Sequence, residues 1–144
     1  MRRALPILPL LLFGAAHGAA DPLSPVGAWR TFDDVTKKPK SVVRIIEKDG
    51  GLIATVEKFL VPAADPAKKC TECSDERKDK PILGMTIMSG LKKDGDTWSG
   101  GRILDPENGK TYRCTLNLVE QGRKLEIRGY VGIFFRTQVW ERIE

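Results

Sequence analysis

Cys70-Thr71-Glu72-Cys73 is the segment whose residue types and spacing could most directly do chemistry. Two thiols three positions apart can close a local disulfide, work as a redox pair, or supply half of a zinc site. A redox pair needs a strand leading into a helix whose N-terminus lowers a thiol pKa. Here the flanks are Lys68-Lys69 and the charged run Ser74 to Pro81, with no apolar strand leading in. A zinc site needs two further ligands, and no second Cys pair follows. A Cys70–Cys73 bridge is the expectation, and a bridge from this loop to Cys114, the third cysteine, stays open as the alternative. Without such a partner, Cys114 reads as a buried free thiol acting as a small apolar group.

Other polar groups offer recognition more than catalysis. Asp105-Pro106-Glu107-Asn108-Gly109-Lys110, with Tyr112 behind it, could present a carboxylate, an amide and an ammonium together. The same residues suit a hairpin turn, with Asp105 bonding nearby N–H groups and Asn108-Gly109 taking the bend. Arg128-Gly129-Tyr130 could hold an anionic headgroup, or Arg128 could pair with a neighbouring acid on a wet strand face. Asp33-Asp34 and Asp94/Asp96 fall at strand ends and turns, where solvated acids are routine, so the carboxylate pair of a glycosidase is not evident. The sequence holds no Gly-x-Ser-x-Gly, phosphate loop or dinucleotide fingerprint. Its only histidine, His17, lies in a segment expected to be removed.

That segment is residues 1–20. Met1-Arg2-Arg3 is basic, Leu5–Phe13 is apolar, and Gly14–Ala20 is rich in small residues. The order is that of a secretory signal peptide cleaved after Ala20. Nine apolar residues fall well short of the roughly 20 that a spanning helix needs, so no transmembrane segment is expected. No cysteine closes the segment, so a lipid anchor has no attachment point. The expectation is an exported protein, periplasmic if the source is Gram-negative and otherwise secreted, in an oxidising compartment. Without His17 the mature chain has no imidazole for a Ser-His-Asp or Cys-His site. No enzyme activity, metal or cofactor is therefore expected. Losing Arg2 and Arg3 lowers the formal charge of +5 to +3. Acids are interspersed among the cations, so no nucleic-acid partner is expected either.

The elements that must position these residues read as strands. Asp49-Gly50-Gly51, Asp94-Gly95, Asn108-Gly109 and Gln121-Gly122 punctuate apolar stretches as hairpin turns do. Tyr112, Cys114, Leu116 and Leu118 alternate with Arg113, Thr115 and Asn117. Leu125, Ile127, Gly129 and Val131 alternate with Lys124, Glu126 and Arg128. Period two with one polar side marks a half-buried strand. About eight strands follow, near 26–32, 41–48, 52–60, 82–90, 96–104, 111–119, 123–131 and 135–143. The fold class is all-β, an up-and-down antiparallel barrel in a single domain over 21–144, because closure removes exposed edges; a sandwich is the alternative. Met85 and Met88 fall on opposite faces of the fourth strand by parity. A loop of about twenty residues at 61–80 interrupts the regular spacing and carries the Cys pair, so a lid is one role for it.

Gly27-Ala28-Trp29 opens the first strand and Arg136 opens the last. This is similar to lipocalins and related calycin barrels. The resemblance implies that Gly27, Trp29 and Arg136 close one end, with the guanidinium packed across the indole. Lys69-Cys70-Thr71-x-Cys73, Pro81-Ile82-Leu83-Gly84, Gly100-Gly101-x-Ile103-Leu104-Asp105-Pro106-x-Asn108-Gly109-Lys110-x-Tyr112, Arg128-Gly129-Tyr130-x-Gly132 and Arg136-Thr137-Gln138-x-Trp140 occur in that order. The series resembles the exported bacterial family known as domain of unknown function 2147, over residues 26–142. One position departs from the pattern, with Phe135 where a glycine is expected before Arg136. The resemblance implies a calycin-like barrel and no reaction. An eight-stranded barrel holds either side chains or one small ligand. The function expected is binding of a small hydrophobic or amphipathic ligand, with Asp105, Asn108, Lys110, Tyr112, Arg128 and Tyr130 as rim contacts. The alternative is a side-chain-filled barrel acting through its surface as an envelope interaction or stress-related protein.

Overall fold

Cys114, Leu116, Leu125 and Ile127, all on the apolar face of the alternating stretches, are buried in the computed structural model. It describes residues 21–144; the expected signal peptide at 1–20, His17 included, lies outside the described residues. The strands are β1 Gly27–Phe32, β2 Pro39–Lys48, β3 Gly51–Phe59, β4 Thr86–Asp94, β5 Thr97–Asp105, β6 Lys110–Val119, β7 Lys124–Val131 and β8 Phe134–Arg142. Each pairs antiparallel with the next, and β1 returns to β8, closing an up-and-down barrel. The closing seam has only two paired positions, Trp29↔Arg142 and Arg30↔Glu141.

The interior divides along the barrel axis. Towards the end where β1 begins and β8 finishes, Trp29, Ile45, Leu91, Leu116 and Leu125 are fully buried and fill the space. Gly27 lies there at a φ of 143°, its α-carbon against the backbone carbonyl of Glu144, where a side chain would collide. Trp29 donates its indole N–H to the Pro25 carbonyl at 2.8 Å. Arg142, not Arg136, lays its guanidinium over the Trp29 ring, 4.3 Å from the ring centre. The register explains the difference. Trp29 pairs with Arg142, and Arg136 lies six residues earlier on the same face, roughly 20 Å along the strand.

The fourth strand starts later than its apolar run suggests. Pro81 has no N–H to give, and Gly84 turns to a φ of 83°, so Ile82–Met85 is not strand. The segment still docks on β3 through Gly84 N–H to Val56 O, 2.8 Å, and Val56 N–H to Met85 O, 3.0 Å. Met85, which precedes the strand, and Met88, within it, are both buried.

Cys114 is a buried free thiol, and burial pushes its pKa up to about 12. Maleimide at pH 8 should therefore label it only in denaturant; equal labelling of the folded protein would refute this burial. The folded form keeps the proton to higher pH than the unfolded form. Stability contributed by the neutral thiol is full below the ordinary thiol range and declines as pH rises towards 12.

Candidate ligand cavity at the mouth of the barrel

Beyond the Trp29 layer the barrel is empty. A cavity of about 760 Å³ opens at the end where β1, β3, β5 and β7 finish. Its apolar wall includes Val43, Val56, Ile87, Ile103, Ile127 and Trp140, contributed in alternation by six strands. The volume falls within the roughly 300–1,000 Å³ usual for small-molecule sites. Side chains thus fill one half of the interior and leave the other half open, so a completely filled barrel is not what forms.

One stripe of the wall is polar. Alternation in β8 places Arg136, Gln138 and Trp140 on its inner face. Trp140 donates its indole N–H to Gln138 Oε1 at 3.3 Å. Gln138 Nε2 in turn donates to both Asp34 oxygens, at 3.1 and 3.2 Å. Arg136 reaches Asp34 at 3.2 Å and Asp105 at 3.9 Å. The chain Trp140–Gln138–Asp34–Arg136–Asp105 runs from the apolar floor to the rim. Its Arg136 remains largely exposed, so a ligand headgroup can reach it. On the adjoining strands β1 and β2, the Thr31 and Ser41 hydroxyls satisfy each other at 2.7 Å. Asp33 accepts backbone N–H groups from Thr36 and Val35, which hold its carboxyl below the usual range and fix the β1–β2 turn.

The long connection between β3 and β4 flanks this mouth through Val61, Ala64, Asp65, Lys68 and Ile82. Cys70 and Cys73 are joined, and both are buried. Around them Cys70 N–H donates to Lys80 O and Asp79 N–H to Cys70 O, each at 2.9 Å. The bridged turn packs on the β5–β6 hairpin. Gly109 lies at a φ of 71° with its α-carbon against the Glu72 carbonyl, leaving no room for a side chain. Closing so short a loop is worth about 2 kcal/mol in the chain-entropy account. Cys70→Ser/Cys73→Ser should lower stability by about that amount and open the segment around Lys68–Lys80 to trypsin. An unchanged digestion pattern would mean that the bridge does not hold the loop.

The expected rim residues separate into two groups. Asp105 and Tyr112 line the cavity. Asn108 donates to the Tyr112 hydroxyl at 3.0 Å, and its Oδ1 accepts the Lys110 N–H at 2.9 Å. Asp105 accepts the Glu107 N–H at 2.9 Å, so these residues also build the turn. The Lys110 side chain is exposed and does not line the cavity. Arg128 and Tyr130 stand on the outer wall, because β7 turns Ile127 and Gly129 inward; there Arg128 pairs with Glu126 at 3.3 Å and Tyr130 meets Thr115 at 3.2 Å. Asp34 was weighed only as part of an Asp33-Asp34 carboxylate pair and Gln138 only within the family series; neither was read as a cavity residue. The signal available for Gln138 was its period-two spacing between Arg136 and Trp140. Asp34 carried none, since its partners lie about a hundred residues away.

Among the described residues no three His, Cys, Asp or Glu side chains gather as a metal site. No described helix is long and apolar enough to cross a membrane. The model of a family described as "Uncharacterized protein conserved in bacteria (DUF2147)" matches residues 27–142. Protein HP1028 from Helicobacter pylori, described as belonging to the lipocalin family, shares the fold with a TM-score of 0.71. It is 22% identical, over 83% of this chain and 82% of that one. A mutant of the fluorescent protein UnaG superposes with a TM-score of 0.46 at 13% identity, over 83% of this chain and 96% of that one. No curated protein sequence matches the chain.

Proposed function

This chain belongs to the DUF2147 family, and from that premise we propose that it is an exported, non-enzymatic barrel that binds a small apolar or amphipathic molecule. The observation that carries the reading is the open cavity of about 760 Å³, apolar on most of its wall and polar along one stripe. Burying the apolar part of a ligand would supply affinity, while Arg136, Gln138 and Asp34 would orient its polar end. Export to an oxidising compartment is supported by the basic-apolar-small order of residues 1–20 and by the Cys70–Cys73 bridge.

Native mass spectrometry of protein exported to its own compartment, followed by organic extraction, tests this. The expected result is a stoichiometric bound mass whose extract is a lipid or an apolar metabolite. A bare polypeptide mass, repeated after incubation with a lipid extract, would overturn the reading.

A further inference from the structure

The outer wall beside the mouth carries cations that the barrel itself does not neutralise. Arg102 of β5 stands directly opposite Arg113 of β6; Arg113 pairs with Tyr130 of β7, and Tyr130 with Phe135 of β8. At about 4.8 Å between strands this row spans roughly 15 Å. Like charges directly opposite each other on a sheet repel. Among the described residues neither Arg102 nor Arg113 has an ion-pair partner, in contrast to Arg128. Arg128 lies beside them with its guanidinium 4.8 Å from the Phe135 ring, and its buried Nε has no acceptor.

The row ends at the β7–β8 hairpin tip, which is apolar and uncovered. Val131 is 60% exposed, Ile133 90%, Phe134 73% and Phe135 56%. Val35 and Val61, also exposed, stand on the two loops across the mouth. An exposed apolar cluster gathered at one hairpin tip marks an interaction surface. Phe135 shares the register row of Arg102 and Arg113, and Phe134 and Ile133 lie one and two residues further along the chain towards the tip, roughly 3–7 Å beyond that row measured along the strand. Apolar faces that rest in a bilayer interface sink about 5–10 Å, leaving basic groups at the depth of the phosphates. A protruding hairpin offers much less than the roughly 800 Å² per partner of a stable protein interface.

We propose that the β7–β8 tip and the arginines behind it, Arg102, Arg113 and Arg128, dock the barrel mouth-first on an anionic lipid bilayer. The inference goes beyond the cavity reading and does not depend on it, since vesicle binding is read whether the cavity is empty or full.

The test is co-sedimentation of the chain from Asp21 onward, which comprises the whole closed barrel, with sucrose-loaded vesicles. One set is phosphatidylcholine alone; the other contains one part phosphatidylglycerol to three parts phosphatidylcholine. Partitioning should favour the anionic vesicles and weaken as salt is raised. Arg102→Gln and Arg113→Gln should each lower the partition coefficient about fivefold. Ile133→Ser/Phe134→Ser should lower it at least tenfold. These side chains are exposed, and an unchanged melting curve verifies folding. Lys48→Gln, at the closed end, should leave binding unchanged. No binding at low salt, equal binding to both vesicle types, or a loss with Lys48→Gln matching that of the arginine variants would overturn the proposal. So would a concentration-dependent dimer that the Ile133→Ser/Phe134→Ser variant abolishes, because a second copy would then cover the tip.

Discussion

Arg142→Ala should destabilise the barrel by about 3–5 kcal/mol, while Arg136→Ala should cost less than about 1 kcal/mol. Arg142 donates to the backbone carbonyls of Gly122 at 2.7 Å, Val26 at 3.1 Å and Ser24 at 2.6 Å. Its charge also faces the Trp29 ring. Burial pushes its pKa down, which marks a guanidinium partly withdrawn from water. Each hydrogen bond from a charged donor is worth about 1.5–3 kcal/mol, and the set is not additive because the acceptors share one donor group. Alanine would leave those carbonyls unpaired and uncover the indole. For a domain of this size the melting temperature should fall by roughly 10–20 °C, read by circular dichroism. Lysine should rescue only part of the loss, because a single ammonium cannot serve a fork of acceptors. Arg136 is itself largely exposed where it meets the half-buried Asp34 and Asp105 carboxylates at the mouth, and ion pairs with one partner in water contribute little. Equal losses for the two alanine variants would sink the assignment of the closing residue.

Ile103→Trp should reduce uptake of an apolar fluorescent probe at least tenfold, with little change in melting temperature. Ile103 faces inward opposite Tyr112 and is only partly buried, because it borders empty space. An indole placed there occupies the cavity without displacing the packed layer around Trp29 and Leu116. Overpacking a full core typically costs about 1–3 kcal/mol, and the void removes that cost here. A titration with a neutral naphthalene dye that brightens in apolar surroundings measures the effect. Saturable one-to-one binding to the native protein, lost in the variant, is the expected pair of results. Undiminished binding to a folded Ile103→Trp protein would place the dye elsewhere and remove the cavity from the argument.

The strands that could be read directly are those with one wet face. In β6 from Tyr112 to Leu118 and in β7 from Lys124 to Arg128 the polar and apolar residues alternate, and Cys114, Leu116, Leu125 and Ile127 are buried as parity expects. The start of β4 could not be read this way, because Ile82, Leu83 and Met85 are as apolar as the strand they precede. Pro81 and the turn at Gly84 decide where it begins. The Cys70–Cys73 bridge was legible because its geometry is local. The arginine over Trp29 was not: Arg136 and Arg142 share a face, and choosing between them needs the register of a seam joining the two ends of the barrel. The cavity was hidden for the same reason. Its size depends on which inward side chains from different strands meet at one level, and the Asp34–Gln138 contact joins residues 104 positions apart.

The Arg142 clasp also bears on how this barrel comes into being. Its acceptors at Ser24 and Val26 precede it by 118 and 116 positions, so the contact forms only once nearly the whole chain is present. Every other strand pair joins sequence neighbours, most of them through short hairpin turns. The two-position seam has no such local route, and its loop-closure entropy falls on the last step. A chain whose seam has not closed is an open sheet with β1 and β8 as bare edges. The period before the clasp engages is when this chain is most exposed to edge-to-edge aggregation.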